Sequence, residues 1–423
     1  MAATAHSRLP MTAASVRKTS LTAARCTSER GTVCSKLNCA SAVRSASGAG
    51  RVVTAVSSTV ASPGYATRTT ASVSTGSARI IVRSLKRSQR LTEYRCGSER
   101  YGRAVLDSDD RVKVPTRSGE PTGCALIFPG QGAQRPAMGD RWRDTPQWRI
   151  VCEVSEWTGY DLAELMLRTG EQRLRRTDSA QLSVFTMSLM AMDYLTEHGM
   201  VGPVRACAGH SLGEYTALVA AGALTPATGA RLIAARGAAM RAATRQRPGT
   251  MAAVLGAGSD TVEALTAAVR VAGAQVWVAN VNGPRQVVVS GTVDGVAAVA
   301  EEARKSRLKI VRIPVDGAFH TPLMAAAAPP LRDALAAAEF RPSGIQVVAN
   351  VDAGLYTAER WRELAERQLT APVRWTAVIR RLTDLGCARL IEVGPSRVLA
   401  KSIGRGESAP AVRYFGYPGE LGT

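Results

Sequence analysis

Five residues, Gly209-His-Ser-Leu-Gly213, constrain this chain more than any other feature. They fall between an apolar run beginning at Val204, which reads as a buried strand, and a helical pattern over 214–222. A turn that tight needs glycine wherever a side chain would crowd the adjacent elements. It lifts one hydroxyl, that of Ser211, into solvent and points it along a helix N-terminus. The Leu212 amide is then free to help hold an oxyanion. The spacing G-x-S-x-G recurs by chance, so the flanking strand and helix carry the argument. Together they imply an α/β domain with a serine nucleophile.

The 423 residues suffice for two or three domains. The formal charge of +20 suggests nucleic acid until it is located. Residues 1–120 hold 20 Lys/Arg against 7 Asp/Glu, so +13 of the +20 lies there. From 121 onward the balance is 34 to 27, ordinary for an enzyme. The first 120 residues are rich in Ser, Thr, Ala, Arg and Val, lack a sustained helical or strand period and read as a disordered basic extension. Two readings of it stand: an organellar transit peptide, or an upstream stretch outside the working protein. It lacks the interleaved aromatics of a nucleic-acid binder. The eight cysteines form no C-x-x-C pair, which argues against zinc and for a reducing compartment. No apolar run approaches the length of a membrane span.

Order begins near Ala125, with a short strand and the Gly-rich turn Pro129-Gly-Gln-Gly-Ala-Gln134. Helical spacing follows over 178–197, then the strand and turn around Ser211, then helices from 213 to 245. After Gly249 the period changes to strand 250–255, helix 259–270, strands 275–281 and 285–290, helix 293–306 and strand 308–315. That βαββαβ order is the ferredoxin-like pattern. Mixed α/β then returns, with helices at 324–338, 359–369 and 374–385 and strands at 345–349 and 388–393. The expected fold is a large hydrolase-like α/β domain with a parallel sheet, residues 121–248 and 315–423, interrupted by a small ferredoxin-like subdomain at 249–314.

An alcohol is a poor nucleophile without a base. The body offers His198, His210 and His320. His198 lies beside Gly199 at a helix end and reads as a cap. His210 adjoins Ser211 on a strand end, so its side chain points away from the hydroxyl and reads as structural. His320 follows a strand and precedes a helix, where α/β domains present catalytic groups, and is the expected base.

Five segments, Pro129-Gly-Gln-Gly-Ala-Gln134, Gly209-His-Ser-Leu-Gly-Glu-Tyr215, Ala235-Arg-Gly237, Gly317-Ala-Phe-His320 and Gln368-Leu-Thr-Ala-Pro-Val373, occur in order along residues 123–415. In them the chain resembles the malonyl-CoA:acyl carrier protein transacylase family of fatty acid and polyketide synthesis. The resemblance implies that Ser211 attacks the malonyl thioester and His320 takes its proton. It implies an oxyanion hole from the Gln131 and Leu212 amides, and a main-chain carbonyl near Gln368 orienting the histidine in place of a triad carboxylate. Arg236 would clamp the free carboxylate of the malonyl group, which lysine cannot do bidentately. From the residues alone, Arg236 reads equally as a solvent-facing arginine on a helix that also carries Arg231 and Arg241. Met240 would line the pocket, and Asn282 would sit at the small-domain hairpin, where a plain turn role serves equally well. Phe319 and Leu212 fit a malonyl-selective pattern, an aromatic opposing an extra methyl group.

The implied reaction is ping-pong transfer of malonyl from malonyl-CoA to the phosphopantetheine thiol of an acyl carrier protein, with no bound cofactor and no metal. The alternative is a serine hydrolase or thioesterase, for which Asp316 or Asp352 would have to supply a third member. Asp178-Ser179 is reminiscent of a carrier protein's own modified serine, but reads as N-cap chemistry. The expected protein is monomeric, binds neither membrane nor nucleic acid, and is cytoplasmic, or organellar if the extension is a genuine transit peptide.

Overall fold

The computed structural model describes residues 123–403 and 410–420 in full and, before them, only strand segments between Thr54 and Lys113. The chain divides into two compact units, Met1–Arg87 and Ser88–Thr423. In the first, Thr54–Ser62, Tyr65–Ser74 and Ser77–Ile81 pair as an antiparallel meander. These strands fall where the sequence shows no sustained period. β-Branched Thr and Val are frequent in them, and those residues favour extended backbone. Short strands also lie at Leu91–Thr92, Arg95–Cys96, Glu99–Arg100, Ala104–Leu106 and Val112–Lys113, and the remainder of the expected disordered extension lies outside the described residues.

In the second unit the apolar run Gly123–Phe128 (β1) is the middle strand of a five-stranded sheet. Its neighbours are Val204–Gly209 (β2) on one side and Cys387–Val393 (β8) on the other. Gln346–Val348 (β7) and Ala411–Phe415 (β9) close the two edges, and every pairing is parallel. Alternate side chains of a strand face opposite ways. Leu126 and Phe128 therefore enter the larger core with Thr177–Glu197 (α4), Gly213–Ala220 (α5) and Pro226–Gln246 (α6). Ala125 and Ile127 meet Val378 and Leu382 of Trp375–Asp384 (α11) on the other side. Both faces are covered, which is why β1 reads as a continuous apolar run.

The second sheet is antiparallel and built from Thr250–Leu255 (β3), Val276–Gly283 (β4), Gln286–Gly291 (β5) and Lys309–Ile313 (β6), in the order β4-β5-β3-β6. With Ser259–Val271 (α7) and Val293–Lys305 (α8) it forms the βαββαβ subdomain. Val254, Val287 and Val289 pack under the two helices. The opposite face presents Met251, Ala253 and Val288 to a cleft.

Several boundaries differ from the sequence pattern. The helices expected over 213–245 are two, ending and restarting where Gly222 turns left-handed at φ 78° and Thr225-Pro226 begins a capped turn. The first therefore stops at Ala220 and not at 222. The span 324–338 begins as a 3-10 turn, Pro322–Ala327, and becomes α-helical at Ala328–Ala337 (α9), with prolines in its first turn. Three helices lay unseen in the sequence: Arg149–Thr158 (α1), Leu162–Leu167 (α2) and Glu171–Leu174 (α3). They are short, at ten, six and four residues, so none runs long enough to repeat a helical period clearly. The edge strand β9 was also unseen.

Candidate active site

The parallel strands all end on one side, and the site lies just beyond their C-terminal ends, as is usual in open α/β sheets. The turn after β2 works only without side chains at its glycines. A Cβ on Gly209 would lie 1.9 Å from the Gly213 carbonyl carbon, and one on Gly213 would lie 2.2 Å from the Phe128 oxygen. Between them Ser211 is left-handed at φ 54°, and His320 is likewise left-handed at φ 60°. Non-glycine residues in that region cost about 1–3 kcal/mol each, and they persist where the surroundings over-determine them. For Ser211 the restraint is Asn350, two residues past β7. Its Oδ1 accepts the Ser211 amide at 2.8 Å and its Nδ2 donates to the Gly209 carbonyl at 2.7 Å.

Ser211 and His320, 109 residues apart, meet with Nε2 2.8 Å from Oγ. The other ring nitrogen, Nδ1, lies 2.9 Å from the Gln368 main-chain carbonyl. A carbonyl only accepts, so Nδ1 carries the proton and Nε2 presents its lone pair to the serine hydroxyl. No carboxylate completes a triad. Both histidine nitrogens are taken, Asp316 is exposed, and Asp352 accepts from the Gly354 amide and the Tyr356 hydroxyl.

Arg236 is buried, 1% exposed, not solvent-facing like Arg231 on the same helix. Its Nη2 donates to Ser211 Oγ at 3.0 Å and to Gln368 Oε1 at 2.9 Å, and its Nη1 donates to Gln181 Oε1 at 2.7 Å. Its Nε has no partner. From Gln181 the bonds continue through Thr177 Oγ1 to Gln131 Oε1, at 3.0 and 2.8 Å. The third arginine of the helix, Arg241, pairs with buried Asp178, as does Arg176. Asp178 is thus the anchor of two arginines in the first turn of α4, where Arg176 and not the acid is the N-cap.

These groups open into a cleft of about 480 Å³ between the strand ends and the bare face of the small sheet. Gln131, Ser211, Leu212, Arg236, Met240, Asn282, Phe319 and His320 all line it. Gln368 is fully buried behind the wall and reaches the site through its hydrogen bonds. Met240 Sδ lies 3.3 Å from Gln181 Nε2. The Phe319 ring folds over Gly317, where a Cβ would come within 2.3 Å of it. His210 bonds Asn282, with Nε2 2.9 Å from Oδ1, and tethers the turn to the small sheet. His198 Nδ1 bonds the Tyr194 carbonyl at the end of α4. The cleft wall at Val398 and Leu399 is held by buried Glu392, whose carboxylate accepts the amides of Val398, Leu399 and Ala400.

Burial, and then the Arg236 charge, push the His320 pKa down to about 3 from its usual value. A neutral imidazole is the form that can accept a proton, so burial keeps His320 in that form over a wide pH range. The kcat/KM for acylation should therefore stay level as pH falls through about 6.5, the ordinary histidine value. Rapid-quench measurements between about pH 5 and 9 check this, and an acid limb centred near 6.5 would contradict it.

Four polar residues of this network carry no role in the sequence reading: Thr177, Gln181, Glu214 and Asn350. Glu214 and Asn350 are buried polar residues among apolar neighbours, a legible anomaly once their elements are assigned. Gln181 stands in a buried polar run, Thr177 to Gln181, at the start of an otherwise apolar helix.

This arrangement defines an acyl-transfer site on an α/β scaffold, and residues 125–412 match the acyl transferase domain family. The malonyl CoA-acyl carrier protein transacylase of Bacillus subtilis (strain 168) is 35% identical over 280 residues, 65% of this chain and 88% of that protein. The malonyl-CoA:acyl carrier protein transacylase structure from Xanthomonas oryzae pv. oryzae superposes with a TM-score of 0.67 at 35% identity, covering 72% of this chain and 96% of that one. A structure described as a type II PKS acyl-carrier protein in complex with its malonyl-transacylase gives 0.67 at 30% identity, covering 71% and 98%. The chain belongs to the malonyl-CoA:acyl carrier protein transacylase family.

Proposed function

We propose that this protein moves a malonyl group from malonyl-CoA to the phosphopantetheine thiol of an acyl carrier protein through a malonyl ester on Ser211. The observation that carries the reading is the Ser211 Oγ–His320 Nε2 contact of 2.8 Å beside a buried arginine that reaches the same oxygen. In the first half-reaction Oγ attacks the thioester carbonyl while its proton passes to Nε2. The tetrahedral oxyanion is held by the main-chain amides of Leu212 and Gln131. The C–S bond then breaks, and the proton moves from the imidazolium to the departing CoA sulfur. In the second half-reaction the carrier thiol gives its proton to His320 and attacks the ester carbonyl, and Ser211 leaves with the proton returned.

Arg236 supplies the selectivity. A malonyl carboxylate would take over Nη2, now shared with Ser211 Oγ, and the unpartnered Nε lies in the same guanidinium. Met240 and Phe319 would flank the acyl chain, and Asn282 would hold its place opposite the turn through His210. One methyl group against Phe319 is worth about 1–3 kcal/mol, so rejection of methylmalonyl units is partial. In this reading residues 121–248 with 315–423 form the catalytic domain and 249–314 the subdomain that covers the cleft. The protein works as a cytoplasmic monomer without a bound cofactor and meets its carrier in solution. No helix among the described residues is long and apolar enough to cross a membrane.

A thioesterase shares the nucleophile turn, and the acceptor separates the two readings. Purified protein given malonyl-CoA and holo carrier protein is expected to yield malonyl-carrier with little free malonate. Free malonate as the main product, with or without carrier, would overturn the transfer reading in favour of hydrolysis.

A further inference from the structure

Glu214 is a buried acid that the reaction scheme leaves unused. It lies in the first turn of α5, 1% exposed, beside Tyr215, Leu218 and other apolar neighbours. Its two oxygens reach two different walls of the site. Oε2 accepts the Asn350 main-chain N–H at 2.6 Å, and Asn350 holds the Ser211 amide. Oε1 accepts Gln368 Nε2 at 2.7 Å. That second bond fixes which way round the Gln368 amide lies. With Nε2 committed to Glu214 and to the Ser211 carbonyl at 3.0 Å, Oε1 is left facing Arg236 Nη2 at 2.9 Å. A reversed amide would set its NH₂ against the guanidinium N–H, donor against donor, and expel Arg236 from its position.

We infer that Glu214 is a positioning residue: by locking the Gln368 amide it aims Arg236 and so sets the preference for dicarboxylic over monocarboxylic acyl groups. This rests on the transfer reading above. Arg236 and Glu214 are both buried, and Gln368 bridges the guanidinium and the carboxyl group, so the guanidinium is held in place before any substrate carboxylate arrives. Burial pushes the Glu214 pKa up to about 8, against the opposing pull of the Asn350 N–H, Arg236 and Gln368. A residue that only stabilised the fold would affect every acyl donor alike.

The test is the ratio of kcat/KM for malonyl-CoA to that for acetyl-CoA in Ser211 acylation, measured on Glu214→Gln beside thermal melting. Glutamine keeps the shape, but its NH₂ must face one of two N–H donors and turns the Gln368 amide round. The ratio is expected to fall about ten- to a hundredfold, mainly through a higher KM for malonyl-CoA. Glu214→Asp keeps the carboxyl oxygens on a shorter arm and should retain more of the ratio than Glu214→Gln. An unchanged ratio in a folded Glu214→Gln protein overturns the inference. So does failure of both variants to fold, which would make Glu214 a folding residue. Absence of a malonyl ester on the wild-type Ser211 would instead sink the transfer reading, and that measurement comes first.

Discussion

Ser211→Ala is expected to abolish the acyl-enzyme and to cut turnover by about 10⁴- to 10⁶-fold, the range seen when one member of a nucleophile–base unit is removed. The magnitude follows from how much converges on one oxygen. His320 Nε2 lies 2.8 Å from it, Arg236 Nη2 donates to it at 3.0 Å, and Asn350 holds the amide of the same residue in a left-handed turn. Alanine retains the backbone but offers nothing for the imidazole to deprotonate. Intact-mass spectrometry after incubation with malonyl-CoA reads the result directly. A malonyl adduct on the alanine protein, at the wild-type rate, would place the nucleophile elsewhere. His320→Asn should fall nearly as far, because the two side chains act as one unit and their losses do not add.

Arg236→Ala has the second-largest expected effect, and it is specific to the acyl group. Removing one partner of a buried, hydrogen-bonded charge pair costs about 3–5 kcal/mol, so kcat/KM for malonyl-CoA should drop about 10²- to 5 × 10³-fold. Acetyl-CoA has no carboxylate to lose and should hold its rate far better, so the preference narrows or reverses. Arg236→Lys keeps a charge but loses the planar fork, and it should fall between wild type and alanine. The alanine variant also leaves Gln181 Oε1 and Gln368 Oε1 without their donor in the core. A lower melting temperature is therefore expected alongside the kinetic change, at about 1–3 kcal/mol for each stranded group. The ratio of malonyl to acetyl rates separates the two effects, since lost stability lowers both rates together. An unchanged ratio would remove Arg236 from substrate recognition.

Position along the chain carried much of this site. The spacing of Gly209 and Gly213 around Ser211 is legible because backbone comes so close that no Cβ fits at either glycine. The βαββαβ order of 250–313 is legible because period 2 and period 3.6 alternate cleanly there. Helices α1 to α3 were not legible, because such short helices owe their stability to what they pack against. The burial of Arg236 was not legible either. Arg231, Arg236 and Arg241 occupy one helix with similar neighbours, and only the packing of α6 against α4 sends one inward, one to Asp178 and one to solvent.

By itself the sequence determined the turn that exposes Ser211, the layered α/β class and the single histidine placed to serve as base, since these depend on local period and on where glycine is obligatory. The tertiary structure alone decided the partners: a carbonyl at Gln368 on the histidine, a buried guanidinium on the serine, and a carboxylate at Glu214 behind both. Hydrogen bonds reach only about 3 Å, and the residues that share them here lie far apart in the chain, so no local pattern encodes which will meet.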